Sequence, residues 1–336
     1  MHALRRRFLT GVLLGVAVVS VLIVLSDRDA LLDAASSFDM RLLPLILLLT
    51  LGNYALRFLK WQYYLRRVGV RDLPTGVSAL IFVSGFSMAM TPGKVGEFLK
   101  SLLVRARTGA SMTKTLPVVF AERITDGLSM VVLSTIGLLA FRVGWPLLIL
   151  MSFVLGAILI VIQQQWLVEA VLNRLRGTRF LEGRIDELWQ LYRSTRTLLR
   201  PRPLAEMVSL SSVSWFFECL VLYFILRGLG FEHSWNLMLA ATFVFATSAW
   251  LGGASLLPGG LGATEASAAA LLIVTVDDPA MTGTVAAAAT LILRFATLWF
   301  GVIVGLAALA VTSRWLGRND PVNAAVPSPP AQSGAA

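Results

Sequence analysis

Nine ionisable residues lie within or beside apolar stretches of this 336-residue chain: Arg57, Lys94, Glu97, Glu122, Arg123, Asp126, Glu218, Glu265 and Arg294. In lipid, a charge at a helix centre costs about 2.5–3.5 kcal/mol, so each is expected to be paired or functional. Glu122 and Asp126 stand four apart and share a helix face, with Arg123 beside them. Lys94, Glu97, Glu265 and Arg294 sit at or beyond Pro-Gly breaks, where helix N-termini offer N–H donors to anions. Two readings are open. The charges either pair only to close the fold, or they line a polar cavity. There Lys94, Arg123 and Arg294 would hold a phosphate while the carboxylates balance charge or carry protons. Glu218, next to Cys219, is placed in the same interior on thinner grounds. Arg57 and Lys60 fall at the inner end of a span, where snorkelling to the headgroups accounts for them.

The elements that must position these groups are membrane helices. The chain is 57% hydrophobic and only 14% charged, with a mean hydropathy of +0.76; a soluble domain carries about 25% charged residues. The net charge of +10 is confined to segments between apolar runs, which is a topology signal and not one for nucleic acid. One cysteine excludes an internal disulfide, and two histidines exclude a His-rich metal site. No cofactor or metal motif is found, and no Ser/His or Cys/His arrangement that would mark an enzyme. Thr125-Asp126-Gly127 matches only the start of an Asp-Gly lipid phosphotransferase signature, the later aspartates being missing. An integral-membrane transferase would have Glu122 and Asp126 as its base.

Apolar segments run at 8–26, 42–59, 76–91, 98–104, 115–141, 145–163, 207–226, 237–257, 261–276 and 280–312. A full span needs about 20 residues, and 98–104 and 261–276 are too short. The first segment, after Arg5, Arg6 and Arg7, is expected to be a retained span. Asp27, Asp29, Asp33 and Asp39 place the next loop outside, and Lys60, Arg66, Arg67 and Arg71 place the one after it inside. Lys100, Arg105, Arg107 and Lys114 also read as inside. Residues 76–104 must therefore cross an even number of times, either as two short full spans or, fitting their length better, as a hairpin entered from the inner face and turning near Pro92. Residues 237–276 form a second, entered from the outer face and turning at Pro258. The expectation is an all-α polytopic inner-membrane protein with about six full spans, two re-entrant hairpins and cytoplasmic termini. The stretch 164–206, rich in arginine, is expected on the cytoplasmic side as an amphipathic helix or helix pair. It would either lie on anionic headgroups or serve as a packed linker. Residues 1–318 form one domain, and 319–336 read as a disordered tail.

The two halves repeat. Leu65-Arg66-Arg67-Val68-Gly69-Val70 and Thr91-Pro92-Gly93-Lys94-Val95-Gly96-Glu97 correspond to Leu226-Arg227-Gly228-Leu229-Gly230-Phe231 and Leu257-Pro258-Gly259-Gly260-Leu261-Gly262-Ala263-Thr264-Glu265. Each break is followed by a span carrying an arginine, Arg123 or Arg294. Repeat 1 covers about 42–141 and repeat 2 about 207–312. Opposite faces of approach make the repeat inverted, the architecture of many transporters, with the breaks at Pro92, Gly93, Gly96, Pro258, Gly259, Gly260 and Gly262 meeting at a shared cavity.

Arg57-Phe58-Leu59-Lys60-Trp61, the run from Pro92 to Lys100, Glu122-Arg123-Ile124-Thr125-Asp126 and the run from Pro258 to Glu265 together resemble the flippase-like membrane domain at the N-terminus of lysylphosphatidylglycerol synthases. That domain is also called the UPF0104 membrane family. The resemblance covers roughly residues 5–315. It implies translocation of a modified phospholipid between leaflets, and it implies glycolipid, polyprenyl or hopanoid lipids for stand-alone members. No soluble synthase domain follows in this sequence, so the translocating part is implied and the synthase activity is not. The partners expected are a membrane lipid and a biosynthetic enzyme; an oligomer is left open. The rival expectation is a scaffold that hands lipid to an enzyme through 164–206.

Overall fold

The computed structural model describes residues 33–91, 98–141, 145–175 and 185–318. The expected first span at 8–26, the first break from Pro92 to Glu97, and the tail at 319–336 lie outside the described residues. All regular elements among them are helical. In chain order they are α1 (Leu43–Arg67), α2 (Thr75–Ser84), α3 (Phe98–Thr108), α4 (Met112–Phe141), α5 (Trp145–Gln163) and α6 (Gln165–Leu175). There follow α7 (Ile185–Leu198), α8 (Pro201–Gly228), α9 (Trp235–Ala254), α10 (Ala263–Thr275), α11 (Gly283–Arg294) and α12 (Phe300–Arg318). A π turn over Phe295–Trp299 joins the last two into one rod.

Among the described residues six helices are long and apolar enough to cross a membrane: Met40–Arg67, Met112–Phe141, Trp145–Gln163, Pro201–Gly228, Trp235–Ala254 and Gly283–Thr312. The protein is a polytopic all-α membrane protein. The set differs from the expected one at α9, which was read as the first limb of a hairpin. It has 20 residues, and at 1.5 Å per residue that is about 30 Å, the thickness of a hydrocarbon core. α10, with 13 residues, and α3, with 11, remain too short. Lipid, unlike water, does not penalise apolar side chains on the outside of the bundle. Accordingly α5 exposes Ile149, Leu150, Phe153 and Ile160.

The local chemistry that ends α1 and α8 is the same. Gly69 and Gly230 both take positive φ, 83° and 98°, which glycine adopts without a Cβ penalty. In each case the next N–H reaches back over the last turn, Val70 to the Leu65 carbonyl at 2.9 Å and Phe231 to the Leu226 carbonyl at 3.2 Å. This is the six-to-one bond that closes a helix with a left-handed cap. Between these two helices the Asn53 amide donates to the Ser214 carbonyl at 2.8 Å, and the Ser214 hydroxyl donates back to the Asn53 carbonyl at 3.1 Å. The two residues are 161 apart, the same offset as Gly69 to Gly230.

α9 runs through the middle of the bundle against α4, α8 and α10. Small residues permit this. A Cβ on Gly137 would come within 2.2 Å of Phe243 Cβ and 3.0 Å of its Cα. A backbone atom cannot swing aside, so Gly137→Ala must separate α4 from α9. The expected loss is about 1–3 kcal/mol, read as a lower unfolding temperature in detergent. Gly156→Ala, where a Cβ meets nothing within 4 Å, should leave it unchanged.

Among its described residues the stretch between the halves carries α6 and α7. α7 buries Ile185, Tyr192, Thr195 and Leu198 against α4, and the Tyr192 hydroxyl donates to the Ile162 carbonyl at 3.1 Å. Its apolar face is spent inside the protein, which favours the packed linker over a helix lying on headgroups.

Candidate functional site

A cavity of about 200 Å³ lies among α1, α3, α4, α8, α9, α11 and the loop from Pro258 to Gly260. Among the described residues four cations line it, Arg57, Lys100, Arg123 and Arg294, together with one carboxyl group, Glu218. Its remaining wall is mostly aromatic side chains and glycine backbone.

The second break is built by glycines and held by one arginine. Gly259, Gly260 and Gly262 have φ of 61°, 68° and 85°, so the chain turns three times in conformations that side chains resist. The Gly262 N–H donates to Glu265 Oε2 at 2.7 Å, the returning half of a capping box at the start of α10. Arg294 then ties turn to helix, donating from Nε to Glu265 Oε1 at 2.6 Å and from Nη2 to the Gly259 carbonyl at 2.5 Å. Arg294 ends α11 where the π turn begins. Such turns free a carbonyl, and here the Tyr54 hydroxyl donates to that of Thr297 at 2.9 Å. Glu265 was expected to line the cavity with Arg294. It instead stands behind Arg294, buried to 3% exposure, because both its oxygens are engaged in closing the turn.

Of the first break, Lys94, Glu97, Pro92, Gly93 and Gly96 lie outside the described residues. The chain just before it reaches the second break: Ala89 lines the cavity, and Met90 packs with Leu261 and Val302. A Cβ on Gly259 would lie 3.8 Å from the Ala89 carbonyl.

The expected face of α4 is present and buried. Asp126 Oδ1 accepts from Lys60 and from Trp215 Nε1 at 3.0 Å, and Oδ2 forms an ion pair with Arg123 at 3.0 Å. Glu122 pairs with Lys100 at 2.6 Å. Neither carboxylate lines the cavity; they anchor the cations that do. Lys60 corrects the snorkelling expectation. It is 1% exposed, its ammonium bound to Asp126 and to Ser211 Oγ at 2.7 Å. The reason is direction: on α1 it points inward toward α4 and α8, away from headgroups. Lys100 is corrected too, since it was counted among the cytoplasmic charges. It is buried to 4% exposure, with its ammonium 4.8 Å from the Trp61 ring centroid and 5.3 Å from that of Phe82. A Cβ on Gly85 would fall 2.8 Å from the Lys100 stem, so glycine at 85 makes its channel.

Sequence reasoning missed Arg57 as a site residue. Its guanidinium lies over the Phe86 ring at 5.4 Å and the Trp215 ring at 5.0 Å. Among the described residues no carboxylate forms an ion pair with it. Two cations three apart inside an apolar run, Arg57 and Lys60, were the available signal. Glu218 was placed in the interior and does line the cavity, 3% exposed, its Oε2 without a hydrogen-bond partner. No group of three metal-ligating side chains occurs among the described residues.

A family model described as the lysylphosphatidylglycerol synthase TM region matches residues 12–305. The chain is similar to a UPF0104 membrane protein of Pyrococcus horikoshii, 23% identical over 88% of this chain and 94% of that one. It is also similar to a UPF0104 membrane protein of Methanothermobacter thermautotrophicus, 23% identical over 87% of this chain and 90% of that one.

Proposed function

The chain belongs to the lysylphosphatidylglycerol synthase transmembrane-region family, and on that premise we propose that it translocates an anionic or modified lipid between membrane leaflets. The reading places it in the bacterial inner membrane with both termini in the cytoplasm, acting without a catalytic step of its own. The observation that carries it is the cavity in which Arg57, Lys100, Arg123 and Arg294 converge beside the break at Pro258–Gly260. Non-helical backbone inside a membrane is tolerated only where protein or a polar cavity surrounds it. A broken helix of this kind at a polar cavity is a common setting of a translocation site.

Within the cavity the cations divide by role. Lys100, Arg123 and Arg294 are tied to carboxylates, so they lend field and shape. Arg57 offers a planar fork of donors suited to a phosphate, held in place by two aromatic faces. The lipid's acyl chains would stay in the bilayer while the headgroup passes.

Reconstitution into liposomes tests this. A fluorescent phosphatidylglycerol analogue should become accessible to an impermeant reductant from both leaflets, and far faster than in protein-free vesicles. Arg57→Ala should slow that movement at least about tenfold, the worth of one charge-assisted hydrogen bond, while leaving the protein monodisperse. No acceleration over protein-free vesicles, or an Arg57→Ala protein as fast as wild type, would refute the assignment. The scaffold alternative has less support, because the apolar face of α7 is packed against α4.

A further inference from the structure

We propose that the groove at the basic end of α1 binds one anionic phospholipid, its phosphate on Arg66 and Arg71 and an acyl chain along the outer face of the helix. The site is separate from the central cavity, and among the described residues the two share no lining side chain. It stands whether or not the translocation reading holds.

The groove has a volume of about 440 Å³. Phe58 and Leu59 form its apolar end, and Gln62, Arg66, Arg71 and Thr75 its polar end. The helical repeat explains why the two ends meet. Residues 48, 55, 59, 62 and 66 follow one another at steps of three, four or seven, which sets them along one face of α1. Leu48, Ala55, Leu59 and Arg66 on that face are all exposed, so it turns away from the bundle. An apolar stripe therefore runs straight into an arginine, two turns beyond Leu59 and about 10 Å further along the axis.

The far wall of the groove is fixed by packing. Gly69 turns the chain back with its positive φ, and Val70 and Leu73 are buried in the core. Arg71 is held exposed between them, and Thr75 follows at the first turn of α2. On the near wall Arg67 Nη2 donates to the Tyr63 hydroxyl at 2.9 Å, and that hydroxyl donates to Glu206 Oε2 at 2.7 Å. Arg202 takes the other oxygen of Glu206 at 3.0 Å. Gln62 accepts from Ser78 Oγ at 3.3 Å through Oε1, which leaves its amide N–H groups to donate. Asp72, the acidic residue on the loop, does not line the groove. Arg66 and Arg71 remain, and among the described residues no carboxylate forms an ion pair with either.

Arginines in loops between spans are common and by themselves make no site. Here two unpaired guanidinium groups share a groove whose other end lies on the lipid-facing side of a span. Their planar forks suit phosphate oxygens, and basic groups just outside a span attract anionic lipid. A soluble phosphoester would leave Phe58 and Leu59 uncovered. A zwitterionic lipid would bring its own cation against the arginines. A phospholipid with net negative charge satisfies both ends, and once bound it ties α1 to the loop before α2.

Native mass spectrometry of the full chain in detergent tests this by counting bound lipids. The probes are dioleoyl phosphatidylglycerol, dioleoyl phosphatidylcholine and glycerophosphate. The Arg57→Ala protein, in which the central cavity has lost its phosphate ligand, should still bind one phosphatidylglycerol, at least about tenfold more tightly than phosphatidylcholine. Adding Arg66→Gln and Arg71→Gln should abolish that preference. Both side chains are exposed, so the unfolding temperature without lipid should not change. The control is Arg105→Gln with Arg200→Gln, which removes the same charge from exposed positions outside the groove and should keep the preference. Equal binding of the two lipids overturns the proposal, as does a preference that survives loss of Arg66 and Arg71. A control pair that loses as much shows a general surface potential and overturns it too. Glycerophosphate binding as tightly as phosphatidylglycerol overturns the lipid as the occupant in favour of a free phosphoester.

Discussion

Arg294→Ala is expected to stop lipid movement and to destabilise the protein by about 3–5 kcal/mol, the cost of stranding one partner of a buried ion pair. The guanidinium holds Glu265 at 2.6 Å and the Gly259 carbonyl at 2.5 Å. Its removal leaves a buried carboxylate uncompensated and a turn carbonyl without its donor. The turn is made of glycines with positive φ, and Arg294 is the side chain that ties it to α10, so its loosening would close the cavity from the α11 side. Thermal unfolding in detergent reads the first effect and liposome translocation the second. The double variant Arg294→Met with Glu265→Gln removes the stranded charge. It should recover much of the stability and none of the translocation. An Arg294→Ala protein that unfolds at the wild-type temperature and moves lipid at the wild-type rate would remove both the clamp and the translocation reading.

Lys60→Met is the second large effect, and it acts on stability. Lys60 joins α1 to α4 through Asp126 and to α8 through Ser211. Without it Asp126 keeps Arg123 and the Trp215 indole but loses its buried partner, at an expected cost of about 3 kcal/mol. Lys60→Met with Asp126→Asn should recover part of that loss, because the uncompensated charge is gone. The comparison is Glu206→Ala. Its partner Arg202 is 89% exposed, and breaking such a surface pair costs about 0–1 kcal/mol. Equal shifts in unfolding temperature for Lys60→Met and Glu206→Ala would show that the buried network does not hold α1, α4 and α8 together.

The two effects differ in what made them foreseeable. Arg294 and Glu265 announce themselves in the sequence, since each is a charge in an apolar run, Glu265 just after Pro258-Gly259-Gly260 and Arg294 in the span that follows. Lys60 does not. It is three residues from Arg57 and near a helix end, and position along the chain does not say whether a side chain turns toward headgroups or toward a neighbouring helix. The same ambiguity hid Lys100, which sits among genuinely basic loop residues. Glycine at 85, which makes room for its stem, has meaning only once α3 lies against α2.

α9 illustrates a different limit. Its composition allowed either one limb of a hairpin or a full span. Its ends were settled by contacts, the Ser234 cap on the Leu237 N–H at one side and the turn before Pro258 at the other. Of all the spans, its apolar window is the most buried within the protein, which hydropathy does not distinguish from burial in lipid.

By itself, then, the sequence determined the membrane class, the helical architecture and the positions of the Pro258 break and the charges around it. These follow from composition, from the length of apolar runs and from residues whose backbone chemistry is local. The caps at Gly69 and Gly230 were legible in the same way, since each is a glycine of positive φ just past a helix end. Tertiary structure decided which charges face one another. It set Glu122, Asp126 and Glu265 behind the cavity wall, brought Arg57 between Phe86 and Trp215, and left Glu218 with a buried, unpartnered oxygen. The reason is that a charge in lipid must be paired, whereas its partner is chosen by helix rotation and crossing, which depend on packing between segments far apart in the chain.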